Sequence, residues 1–181
     1  MDEITVLSGD RVRDAAPELA GLLVDAVDDG ASVGFLAPLP AADAAGWWRD
    51  LAPAVDGGRV TVWAARRAGR LTGTVQLHRT AAANGRHRGE IAKLIVHRSA
   101  RGRGLGGALL AAAEREAARA GMSLLILDTQ TGSAAESLYR GKGWTPVGVV
   151  PGYAADPAGE PRSTTFFHKR LLPPASPAAP A

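Results

Sequence analysis

The chain predicts one α/β domain: a mixed, mostly antiparallel sheet of about seven strands, with a parallel pair at its centre and about four flanking helices. Three observations lead there. Apolar residues recur at helical spacing near the start and switch to a period of two in the 60–78 stretch. Two alternating runs, 60–64 and 71–78, flank the turn Arg67-Ala68-Gly69-Arg70, as an antiparallel hairpin requires. Further on, an apolar strand, a glycine-rich loop, an alanine-rich helix and a second apolar strand follow one another; such a unit crosses over right-handedly and pairs its strands in parallel.

In order, residues 3–7 read as a short first strand. Asp14 is placed to cap a helix over 15–28, with Pro17 tolerated in its first turn. Leu19, Leu22, Leu23, Ala26 and Val27 give that helix one apolar stripe. An apolar, glycine-containing loop covers 31–36, and a second helix covers 40–51 with Trp47 and Trp48. After the hairpin, 81–85 is a flexible connection and 90–96 a third β run, apolar enough at its end for a buried central strand. Residues 105–120 form a strong helix stopped by Gly121. A buried strand at 123–128, a short helix at 134–142 ended by Gly143 and a strand at 145–150 come next. A loop with three prolines at 151–161 and a last strand at 163–171 complete the domain, which spans 3–172. The Pro/Ala-rich tail 173–181 has nothing to bury and is expected to be disordered.

With 46% hydrophobic residues the domain can bury a core without covalent staples. The absence of cysteine excludes disulfides, thiolate metal sites and a thiol nucleophile, and suits a reducing cytoplasm. The first residues, Met1-Asp2-Glu3-Ile4, lack the pattern of a secretory signal, and no apolar run approaches the ~20 residues that span a bilayer. Net charge is only +3, and the arginines are scattered among acids, unlike the clustered footprint of a nucleic-acid binder. His78, His87, His97 and His168 show no metal-ligand spacing, so no metal is expected.

Chemistry concentrates on Arg101-Gly102-Arg103-Gly104-Leu105-Gly106, followed by Gly107. Glycines let backbone approach a ligand. The helix that starts there offers free N–H groups and a dipole to an anion. Arg101 and Arg103 add bidentate donors, so a diphosphate is the natural guest. The plain alternative is a surface turn with capping glycines. A P-loop would need Lys-Ser or Lys-Thr where Gly106-Gly107 stands. A dinucleotide fingerprint belongs near the first strand of a doubly wound sheet, not after antiparallel hairpins.

The pattern Arg101-x-x-Gly104-x-Gly106 after Leu94-Ile95-Val96 resembles the signature of the GNAT N-acetyltransferase superfamily. Ala135, Leu138, Tyr139, Gly143 and Trp144 match the spacing of that family's following helix and turn. The resemblance implies a GNAT fold with a splayed parallel pair, acetyl-CoA as co-substrate, and direct acetyl transfer to an amine without an acyl-enzyme. It implies that the cofactor arm pairs with the backbone of Leu94, Ile95 and Val96, whose N–H groups polarise the thioester carbonyl.

Glu90, at the start of that strand, is the first candidate for the general base. Strict alternation puts it on one face with Ala92, Leu94 and Val96, where apolar neighbours would raise its pKa. Its plain reading is a strand-end charge paired with Arg88. Asp128 ends an apolar strand, where α/β proteins place ligand-contacting groups, and is the second candidate; its plain reading is a cap for the next turn. Tyr139 matches the family tyrosine that protonates the departing thiolate; otherwise it is a packed helix tyrosine. Gly132 stands where many members have a cofactor-contacting asparagine, with Ser133 and Ser137 the candidates to replace it. The loops at 31–36 and 151–160 are candidates to frame the acceptor, through Phe35 and Tyr153 above all.

The favoured acceptor is a small-molecule amine, a toxin or antibiotic included. A protein or peptide amine is the second reading, and a non-catalytic acetyl-CoA-binding module the third. A monomer and a homodimer are both compatible with the sequence, with neither nucleic acid nor membrane as a partner.

Overall fold

The structure is a computed structural model and describes residues 2–171. The predicted tail at 173–181 lies outside the described residues. The elements are β1 (Glu3–Leu7), α1 (Gly9–Asp14), α2 (Ala16–Asp28), α3 (Ala41–Asp56), β2 (Val60–Arg67), β3 (Arg70–Arg79), β4 (Arg88–Val96), α4 (Leu105–Arg119), β5 (Leu124–Gln130), α5 (Ala134–Gly141), β6 (Thr145–Ala155) and β7 (Pro161–Arg170). The seven strands form one sheet in the order β1-β2-β3-β4-β5-β7-β6. Only β4 and β5 run parallel.

Two cores lie on opposite faces of this sheet. Leu19, Leu23 and Trp48 from α2 and α3 pack with Val62, Ala64 and Ile95 on one side. Leu109 and Leu110 of α4 pack with Val75, Ile91, Leu125 and Phe167 on the other. Each fully buried leucine of this kind contributes about 1.5–3 kcal/mol.

Three elements differ from the sequence expectation. The first helix begins at Gly9, capped by Ser8, whose Oγ accepts the Arg11 N–H at 3.3 Å; Asp14 does not cap it. It breaks at Ala15, and α2 restarts with proline in its first turn, so the described residues contain five α-helices. The second expected helix runs on to Asp56, through Pro53. The proline-rich segment after Val150 is a hairpin rather than a loop: β6 continues to Ala155 and β7 opens at Pro161. Pro151 falls in the irregular stretch between Val150 and Ala154 on an edge strand, where a missing N–H leaves no broken ladder.

Two irregularities in β4 shape everything that follows. Its parallel ladder with β5 is three residue pairs long: Arg88 with Leu124, Gly89 with Leu125, Glu90 with Ile126. Beyond Glu90 the strands diverge, and one edge of β4 is left without a strand partner. The second irregularity is a bulge. Thr74 pairs with Ile95 and Gln76 with Ala92, so Val75 of β3 stands opposite both Lys93 and Leu94. Lys93 adopts φ 49°, a left-handed conformation that costs a non-glycine residue about 1–2 kcal/mol. The extra residue inverts the side-chain alternation. Ile91 packs with the α4 core, whereas Ile95 packs with the α2–α3 core.

Candidate active site

The glycine-rich loop joins β4 to α4. Gly102 (φ 75°) and Gly104 (φ 80°) are left-handed, and a Cβ on either would meet nothing within 4 Å, so backbone conformation rather than crowding calls for glycine there. Gly104 is the N-cap of α4, and no side chain caps the helix. The first-turn amides, Leu105 to Gly107, therefore face outward with the positive end of a 15-residue helix behind them. Gly106 and Gly107 serve another purpose: a Cβ on Gly106 would lie 3.3 Å from Leu138 Cδ2, and one on Gly107 2.7 Å from Lys142 Cε. Their small size lets α5 pack against α4.

The loop is tied to the end of α2. Arg98 donates from Nε to Asp25 Oδ1 (2.5 Å) and from its backbone N–H to Asp25 Oδ2 (3.0 Å). Arg101 pairs with Asp29, holding that carboxyl below its usual range, and donates through Nε to the Val96 carbonyl at 3.0 Å. Its guanidinium thus orders the loop in this state. Arg103 is exposed, and no side-chain partner engages it among the described residues.

The sheet face on the α1–α3 side carries the titratable cluster. Leu125 and Leu127 belong to the α4 core, so Ile126 and Asp128 face the other way, as do Glu90 and Ala92. Glu90 and Asp128 therefore share one face where β4 and β5 part. Leu94 and Val96 pack with the α4 core instead, which corrects the strict alternation expected from sequence. Both carboxylates are accessible from the crevice, yet desolvation by its walls raises both pKa values; Asp128 raises Glu90 further, and Lys93 opposes both shifts. His78 lies across from Glu90 in the β3–β4 ladder. Burial, then Lys93, lowers its pKa, and its Nε2 meets Gln76 Oε1 at 2.7 Å.

Lys93 is half-buried on the same side. Its Nζ lies 5.9 Å from the centroid of Phe35 and 5.4 Å from that of Trp47, within cation–π range. Asp128 pairs with Phe166 across β5 and β7, and Tyr153 meets Phe166 edge-on at 5.1 Å. The two framing loops touch each other: the Ala37 N–H donates to the Pro157 carbonyl at 2.8 Å. Phe35 thus neighbours Lys93, and Tyr153 neighbours Phe166, the cross-strand partner of Asp128.

Tyr139 lies on the other face, buried beside Trp144 and Phe167. Burial, with Asp128 adding, pushes its phenol above the ordinary range, so it stays protonated. Ser133 caps α5: its Oγ accepts the Glu136 N–H at 3.1 Å, and Glu136 accepts the Gly132 N–H at 2.6 Å in return. That hydroxyl is engaged, while Ser137 is exposed.

A profile of the acetyltransferase (GNAT) family matches residues 35–144, which include the loop, both carboxylates and Tyr139. The chain belongs to that family. Family membership makes it an acyl-transferring enzyme, and its fold is the GNAT fold. Solved structures agree. A ribosomal-protein-alanine N-acetyltransferase from Brucella melitensis superposes with a TM-score of 0.74 at 24% identity, covering 93% of this chain and 99% of its own. A putative acetyltransferase from Salmonella typhimurium, solved with acetyl-CoA, gives 0.74 at 21%, covering 98% and 99%. A phosphinothricin acetyltransferase from Sinorhizobium meliloti, also with acetyl-CoA, gives 0.75 at 17%, covering 94% and 88%.

Sequence reading of this GNAT chain missed Lys93, Trp47 and Phe166 as neighbours of the crevice, and Lys142 beside the first turn of α4. Lys93 carried a signal: it is one of three lysines and interrupts the apolar run Ile91–Val96. Trp47 is only partly buried against the α2–α3 core.

Proposed function

We propose that this GNAT enzyme is an acetyl-CoA-dependent N-acetyltransferase that acetylates the amine of a small molecule by direct attack. The observation that carries this reading is the short β4–β5 ladder, which leaves the β4 edge at Leu94, Ile95 and Val96 uncovered by any strand, beside two accessible carboxylates. The residues fit the cofactor. Outward amides from Leu105 to Gly107, with Gly102 and Gly104 shaping the loop, accept a diphosphate. Arg103 supplies a mobile cation, Arg101 fixes the loop, and Ser137 remains open for the cofactor arm. Acetyl-CoA, when bound, supplies the acetyl thioester and leaves as a thiol.

The chain's own groups do the rest. An acceptor amine of pKa about 10.4 must lose a proton before it attacks. Glu90 and Asp128, raised by desolvation and near neighbours on one face, are suited to take it. Backbone N–H groups of the free β4 edge stabilise negative charge developing on the carbonyl oxygen. Tyr139, which is still protonated, would give its proton to the departing thiolate, so that coenzyme A leaves as the thiol.

Substrate class rests on three supports. Phosphinothricin acetyltransferases are among the structural neighbours. Segments at 30–35, 100–106, 127–129 and 151–153 resemble tabtoxin resistance protein, an acetyltransferase that inactivates a β-lactam-containing toxin. The hydrogen bond from the Ala37 N–H to the Pro157 carbonyl joins the two candidate framing segments, which suits a compact acceptor better than a protein tail. The test is thiol release from acetyl-CoA with amino acids, aminoglycosides, β-lactam toxins and peptides. Release with small amines is expected. Cofactor binding without release would leave only a binding module, and calorimetry silent to coenzyme A would overturn the whole reading.

A further inference from the structure

We propose that Lys93 is an anion-recognition residue of the acceptor site, and that the acceptor is therefore a small amine that also bears an acidic group, as amino acids and their analogues do. The inference rests on the reading of the Glu90–Asp128 crevice as the acceptor site.

Four observations carry it. Lys93 stands at the bulge of β4, held in a left-handed conformation that an ordinary strand residue would avoid. Such strain persists where the surroundings fix it, and it is concentrated at ligand-handling positions. The ammonium is wedged between Phe35 and Trp47, which hold a cation by their faces but accept none of its N–H groups in a conventional hydrogen bond. Gly34 adjoins it: a Cβ there would lie 3.5 Å from Lys93 Nζ, an ordinary contact, and the φ of 89° is what calls for glycine. Finally, neither Glu90 nor Asp128 forms an ion pair within 4.0 Å of it among the described residues, although both lie on the same side of the sheet. A half-buried ammonium with three donors and no ion-pair partner within 4.0 Å among the described residues has those donors available to an incoming anion.

The arrangement also separates charge. Two carboxylates lie where the strands part, and the ammonium lies towards the aromatic wall. An amine presented to the carboxylates can place a carboxylate, phosphinate or similar group against Lys93. A plain alkyl amine fills only half of this pattern.

The experiment compares matched pairs of amines, a free amino acid against its amide, with wild-type enzyme, Lys93→Met and Lys93→Arg. Both thiol release and calorimetric binding to the protein with coenzyme A present are read. Wild type should prefer the acid at least tenfold in KM. Lys93→Met should abolish that preference by raising the KM of the acid far more than that of the amide, with kcat compared at each variant's own pH optimum because loss of Lys93 also lets the Glu90 and Asp128 pKa values rise. Lys93→Arg should restore it in part, and retained coenzyme A binding certifies the fold of each variant. Equal handling of acid and amide by wild type, or a preference that survives Lys93→Met, overturns the inference while leaving acetyl transfer intact. Lys93-dependent binding of acids without thiol release would sustain it and instead sink the catalytic reading.

Discussion

The two halves of the crevice are made of different material. At the mouth of α4 the groups offered to a ligand are main-chain amides, held in place by Gly104 at the N-cap and by the Arg98 and Arg101 ties to α2. On the proposed acceptor side the groups are side chains, Glu90, Lys93 and Asp128, supplied by two strands that part company. A backbone site is conserved in shape whatever surrounds it. A side-chain site depends on which face each residue occupies, and one bulge in β4 decides that. The first half suits a ligand common to many relatives, and the second is free to vary with the acceptor.

The double variant Glu90→Gln, Asp128→Asn should separate the halves most widely. Its kcat is expected to fall by about 10²–10⁴-fold, the usual worth of general base catalysis. Calorimetric affinity for coenzyme A should not change; a parallel loss would mean that the halves are one unit. Gly104→Val probes the opposite side. A β-branched residue at φ 80° costs about 1–3 kcal/mol and displaces the amides of the first turn. The dissociation constant for coenzyme A should rise about tenfold per 1.4 kcal/mol, with kcat at saturation preserved. The smallest effect is on stability. Raised carboxyl pKa values mean that the folded chain binds protons more tightly than the unfolded chain. Stability contributed by these groups is then lost as pH rises from the ordinary carboxylate range, about 3.9–4.3, through the raised values. Glu90→Gln should therefore raise the melting temperature at neutral pH and flatten its fall across that window. A lower melting temperature at neutral pH would show that the carboxylate is favourably paired instead.

Much of this was legible before any coordinates. The order of strands, the parallel crossover and the loop follow from periodicity and glycine spacing, which are local properties. The β6–β7 hairpin was hidden because Pro151 and Pro161 signal a break, whereas an edge strand absorbs them. The early start of the first helix was hidden in a short segment ahead of Ala15, although Ser8 was there to cap it. At the site, Glu90 and Asp128 could be placed on strands but not on one face with Lys93. The inversion at Lys93 comes from pairing with Val75, a residue distant in sequence. Ser133 also caps α5, a role that Glu136 three residues on signals in the sequence.

The contact between Ala37 and Pro157 has a dynamic consequence. It is a backbone hydrogen bond worth about 0.5–1.5 kcal/mol net, accompanied by a longer one of 3.5 Å from Ser32 Oγ to the Ala155 carbonyl. A closure that weak lifts often by thermal motion without melting a helix or a strand. A compact guest can therefore exchange by local opening of these two segments, with no helix or strand lost.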